Sequence, residues 1–234
     1  MRLISSGQHH ATFEFGELQV ISLRDGYIDM PPTRLRDEDG RMLDELPAAV
    51  PLAGDNLRLS VNAFFVTDGT RSVLIDTGAS NAWHDPTMGL IYDALDEAGI
   101  DRAQVTDVAI THKHEDHVSG LIAPDGSEAF TKLERVWIGA GDTSVFTGRL
   151  EPIRDRVVPV SEKVAINDWT TAMPTPGHNP VTPSTTSGAA PATFSSGATP
   201  FTFPRSNSIS RTCPGSSTAT SPRPAPRERL SSNN

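Results

Sequence analysis

A single cysteine, Cys213, excludes an internal disulfide framework. No apolar run approaches the ~20 residues needed to span a bilayer. The first fifteen residues, MRLISSGQHHATFEF, lack the apolar centre and small-residue cleavage site of a secretory signal. A soluble, cytoplasmic protein with no membrane partner is therefore expected. Positive charge is scarce too: 20 Lys and Arg stand against 29 Asp and Glu, a net charge of −9 with a pI near 5.2. Nothing resembles a basic patch that could displace counterions from phosphates, so a nucleic-acid partner is not expected and a small molecule is. The oligomeric state is left open. Apolar residues make up 36 % of the chain, few for a well-filled core, and the shortage is uneven.

Residues 179–234 contain 12 serines, 9 threonines and 9 prolines, with Glu228 as the one acid and no lysine. Such a segment cannot bury enough apolar surface to offset its ordering entropy. The organisation expected is a domain over 1–178 and a disordered tail over 179–234.

Within the first part, residues 18–23 (LQVISL) predict a strand, followed by a turn-rich RDGYIDMPP and the charged surface loop RLRDEDGRMLDEL. VNAFFV (61–66) and SVLID (72–76), joined by TDGTR with its Asp-Gly turn signal, predict a hairpin ending at Asp76-Thr77-Gly78. The spacing of Leu90, Ile91, Ala94, Leu95 and Ala98 predicts a helix that stops at Gly99. Further strands are expected at 105–111 (VTDVAIT), 135–139 (RVWIG) and 156–160 (RVVPV), an alternation that fits a layered α/β domain.

The strand at 105–111 runs straight into THKHEDHVSG, which crowds His112, His114, Asp116 and His117 into six residues. Imidazole nitrogen and carboxylate oxygen are the donors that borderline cations such as Zn²⁺ accept. Placed at a strand end and in the turn after it, these four can converge on two adjacent ions, which share a hydroxide and present it to an electrophilic carbon or phosphorus.

His112-Lys-His114-Glu-Asp116-His117 matches the H-x-H-x-D-H motif of the metallo-β-lactamase superfamily, and Asp76-Thr77-Gly78 and the TPGH ending at His178 match two more of its motifs in the right order. The chain resembles that superfamily over residues 61–178. The resemblance implies an α/β fold, the αβ/βα sandwich, here with its second half truncated or replaced by the tail. It implies that His112, His114 and His178 bind one metal and that Asp116 and His117 bind a second. The metal would be zinc, with iron or manganese as alternatives. Asp76 would orient a ligand from behind, and Asp116 would also take up a proton as the catalytic acid–base group. The activity implied is hydrolysis of a small ester, lactone, amide or phosphoester by a metal-bound hydroxide, closest in look to the lactonase and organophosphate-hydrolase branch. The alternatives are an inactive truncated member and an iron-binding oxidoreductase relative. His9, His10 and His84 lack such a context and are expected at the surface. Trp83 is read as a core or loop anchor rather than a pocket wall.

The family pattern continues beyond TPGH with a second PGH, a strand, an aspartate that bridges both metals and a final histidine, and none of these follows here. A single G inserted between the codons of Pro180 and Val181, with allowed synonymous bases, re-reads Asn179–Thr199 as NPGHTVYHFGSGPRDLLIWGDA. That frame restores the second PGH, an alternating strand, a buried strand and a Gly-Asp in the right order. The tail is therefore read as the product of a frameshift.

Overall fold

Period-two alternation in the short apolar runs decides the architecture. In the computed structural model, residues 1–35, 52–84 and 86–175 are described, together with the backbone of 192–195. The strands are β1 (Arg2–Ser6), β2 (His10–Phe15), β3 (Leu18–Met30), β4 (Leu52–Ala53), β5 (Asn56–Thr67), β6 (Ser72–Ile75), β7 (Asp107–Ile110), β8 (Arg135–Gly139) and β9 (Val157–Val160). They form one nine-stranded sheet in the order β1-β2-β3-β5-β6-β7-β8-β9, with β4 paired to β5. Its first half is antiparallel, whereas β6 to β9 run parallel. Parallel neighbours need crossover connections. Helix α1 (Ile91–Glu97) lies between β6 and β7, and the short helix α2 (Glu115–Val118) lies between β7 and β8.

Each central strand sends alternate residues to opposite faces. Leu74, Val108, Ile110, Val136 and Ile138 join Ile91, Ala94 and Leu95 of α1 in one core, completed by Phe146, Leu150 and Ile153 from the segment before β9. Val73, Ile75, Ala109 and Trp137 point the other way, into a second cluster with Ile166 and Ala172. That second face is met by a small sheet of β10 (Val164–Ala165), β11 (Thr171–Pro174) and β12 (Ala192–Ser195). The two layers are latched at one end, where Trp169 Nε1 donates to Asp68 Oδ2 at 3.0 Å.

The structure differs from the sequence expectation in three places. The stretch RDGYIDM is strand rather than turn: β3 runs on to Met30 across an irregularity between Arg24 and Gly26, where Gly26 has φ +151° and a Cβ would fall on the Thr87 carbonyl. β5 likewise begins at Asn56, before VNAFFV. His9 and His10 are half-buried rather than at the surface, because Glu97 at the end of α1 draws their strand in. β12 pairs antiparallel with β11. Its ATFS contains threonine and phenylalanine, residue types that suit a pleated strand. His84 is exposed, and Trp83 packs with Val61, Ala79 and Met88 as a loop anchor. The acidic loop beyond Leu35 lies outside the described residues. No helix among the described residues is long and apolar enough to cross a membrane.

Candidate metal centre

In an open α/β sheet the C-terminal ends of parallel strands are where ligands bind. Here β6 ends at Asp76 and β7 runs into Thr111 and the histidine cluster, side by side. Asp76 adopts φ +59°, unusual for a residue with a side chain, and its backbone N–H donates to Ala109 of β7 at 3.0 Å. The turn it starts is locked onto α2. Thr77 donates through both its N–H (2.8 Å) and its Oγ1 (2.9 Å) to the His117 carbonyl, and Gly120 N–H donates to the Gly78 carbonyl at 2.9 Å. Gly78 (φ +74°) is required twice over: its backbone is left-handed, and a Cβ there would fall on the Asp25 carboxylate.

The cluster resolves into two pairs of donor atoms. His112 Nε2 and His114 Nδ1 face each other at 3.0 Å, and His117 Nε2 and Asp116 Oδ2 at 3.3 Å. For Zn–N distances of about 2.0–2.1 Å, two ligands of a tetrahedral ion are separated by about 3.3 Å, so both pairs match the edge of a zinc tetrahedron. His112 and His117 are also packed together, with ring centroids 4.0 Å apart. Among the described residues no three such groups gather on one point. Each pair therefore needs a further ligand. His178, the expected third ligand of the first pair, lies outside the described residues.

The ring nitrogens on the far side of both histidines are held from behind. His117 Nδ1 lies 2.8 Å from Asp76 Oδ2, and His112 Nδ1 lies 3.0 Å from Thr111 Oγ1. Thr111 in turn donates to Asp76 through its N–H (2.8 Å), and its Oγ1 reaches both carboxylate oxygens at 3.0 and 2.9 Å. Orientation of this kind fixes the tautomer, leaving Nε2 of each ring for a cation. Burial alone would push the His117 imidazolium down, but the Asp76 and Asp116 carboxylates outweigh it and raise it to about 10. Burial pushes Asp116 up, and the hydrogen bond and charge of His117 overcome it, so its carboxyl stays below the usual range. His112 and His117 are buried, while His114 is exposed and marks the open side of the site.

Three residues close to this centre escape sequence reasoning. Thr111 reads simply as the end of a strand. Asp25, fully buried, accepts from Ala79 N–H (2.9 Å) and Ile91 N–H (3.2 Å), bracing the turn after Asp76 against the start of α1. Asp142 follows β8 and accepts from Lys113 N–H at 3.3 Å. An acid directly after an apolar strand, as in RVWIGAGD, is the signal that could have found the last of these.

A family model described as "Metallo-beta-lactamase superfamily" matches residues 57–123, the span that holds Asp76-Thr77-Gly78 and the whole histidine cluster. Comparison with curated proteins finds no match. Among solved structures, the dizinc quorum-quenching lactonase AidC, in complex with a product, aligns with a TM-score of 0.66 at 19 % identity, over 82 % of this chain and 72 % of its own. The hydrolase AbOPH aligns with a TM-score of 0.61 at 19 % identity, over 81 % and 70 %. A quorum-quenching N-acyl homoserine lactone lactonase aligns with a TM-score of 0.53 at 16 % identity, over 75 % and 66 %. The motif-bearing segment thus matches the metallo-beta-lactamase superfamily, and the likeness in fold to the solved hydrolases extends over most of the chain.

Proposed function

We propose that this chain is a metal-dependent hydrolase acting on a small ester, lactone, amide or phosphoester. The observation that carries the reading is the pair of donor edges, His112 with His114 and Asp116 with His117, each at the spacing of two ligands on a tetrahedral cation. His112 and His114, with His178, would hold one metal, and Asp116 and His117 would supply two ligands to a second. Zinc bound there supplies Lewis acidity and a water of lowered pKa. Asp76 and Thr111 orient His117 and His112, and Asp116 takes up a proton during turnover. A nitrogen and oxygen donor set also accepts iron or manganese. A lactone substrate is favoured by the likeness in fold to AidC.

A second reading, an inactive truncated relative, is favoured by the sequence after His178, which lacks a bridging aspartate and a final histidine ligand. In this view the intact gene encodes the dinuclear enzyme, and the tail over 179–234 is its frameshifted remnant. Both readings are tested on the full chain by zinc content after dialysis and by hydrolysis of acyl-homoserine lactones, aryl esters and phosphotriesters. Bound zinc with turnover supports the hydrolase. Bound zinc without turnover supports the inactive relative. A chain that retains no metal overturns the metal-centre reading.

A further inference from the structure

Three consecutive parallel strands each deliver a carboxylate beyond their C-terminal ends: Asp76 after β6, Asp116 after β7 and Asp142 after β8. The first two contact the candidate ligand His117 directly. Asp142 lies at the same sheet edge, and its side chain is 0 % exposed. Its Oδ2 accepts the Lys113 backbone N–H at 3.3 Å. Its Oδ1 makes no hydrogen bond among the described residues and lies 3.5 Å from Lys113 Nζ, an ion-pair distance. Burying a carboxylate is costly unless it is well paired, and one oxygen of this one has only the Lys113 ammonium at 3.5 Å.

The N–H it accepts belongs to the peptide joining His112 to Lys113, midway along the His112–Lys113–His114 turn. A peptide plane has only its two flanking dihedrals to rotate about. An acceptor fixed in the buried segment after β8 therefore orients that plane, and with it the direction in which His112 leaves the backbone and the course the chain takes on towards His114.

We propose that Asp142 is a positioning residue for the metal centre: by holding the Lys113 N–H from below, it sets the facing of His112 Nε2 and His114 Nδ1 as one ligand edge. The proposal rests on the reading of those two histidines as ligands. What matters is the oxygen acceptor, not the negative charge, so the Lys113 ammonium contributes little.

The test uses the full chain with zinc, in competition with a chromophoric chelator, and with Co²⁺, whose absorption reports ligand geometry. Asp142→Leu, which removes the acceptor, is expected to weaken zinc binding ~10–100-fold, the usual cost of removing a group that orients a ligand, and to alter the Co²⁺ spectrum. Asp142→Asn, which keeps an oxygen for the N–H, and Lys113→Met, which keeps the N–H itself, are expected to stay within ~3-fold with an unchanged spectrum. Should Asp142→Leu fail to fold, Asp142→Ala replaces it with the same expectation. Wild-type affinity in the Leu or Ala variant overturns the proposal, as does an Asn variant that loses as much as Leu. A wild-type chain that binds neither zinc nor cobalt removes the metal-centre reading itself and the proposal with it, an outcome distinct from the other two.

Discussion

Thr111 is where the centre's orientation is concentrated, because its one hydroxyl spans Asp76 and the Nδ1 of His112. Thr111→Val keeps the shape and removes these bonds, while the Thr111 N–H and His117 Nδ1 still serve the Asp76 carboxylate. The expected cost is ~1–3 kcal/mol of stability and ~10-fold or more in zinc affinity, read by denaturant melts and chelator competition. Unchanged affinity would show that Asp76 alone orients the site. Gly78→Ala strikes the same place through the backbone, at φ +74° and against Asp25. It is expected to destabilise by ~2 kcal/mol or more, since strain and collision add, and a melt within error of wild type would contradict that account. The histidine cluster was legible in the sequence because its members lie within six consecutive residues. Asp76 was legible only as part of a motif. Asp25 was not, since its partner Ile91 lies 66 positions away and nothing local marks the contact.

At the scale of elements, legibility followed self-sufficiency. RVWIG and SVLI carry enough β-branched residues to announce β8 and β6 on their own, and Gly99 marks the stop of α1. The β1–β2 hairpin went unread because its first strand is exposed along its length and shows no buried face in the pattern. What ties that hairpin down is Glu97, whose carboxylate accepts the N–H groups of Gln8 and His9 at 2.7 Å each. Those two bonds, with help from His10, hold the Glu97 carboxyl at about 2. Its folded value is depressed, so the clamp contributes fully above the ordinary glutamate value of 4.5 and is lost as pH falls towards 2. The melting temperature of Glu97→Gln should therefore lie below wild type at pH 6, and the gap should close between pH 4.5 and 2. A gap that persists at pH 2 would mean that packing, rather than the carboxylate, holds the hairpin.

Across the whole molecule, the sheet has two apolar faces and unequal means of covering them. The α1 face is closed by residues from along the described chain, including Phe130, Phe146 and Ile153. The other face, with Val73, Ile75, Ala109 and Trp137, depends on a second layer of which three strands are described. Those central residues are buried. The helix-covered layer was legible because its strands and α1 each carry their own pattern. The second layer was not, because β10 and β11 are runs of only two and four residues and the sequence beyond His178 turns to serine, threonine and proline. If the break is a lost G, restoring it between the codons of Pro180 and Val181 should return both the covering strands and the missing ligands at once. The restored protein is then expected to melt ~10 °C or more above the present chain, since at this size 1 kcal/mol is worth ~2–4 °C and a completed layer adds several. It should also hold two zinc ions where the present chain holds fewer. Two effects of different physical origin, packing and ligation, would have to appear together from one inserted base. A restored chain with the same melting temperature and the same zinc content would show that residues 179–234 are the native ending.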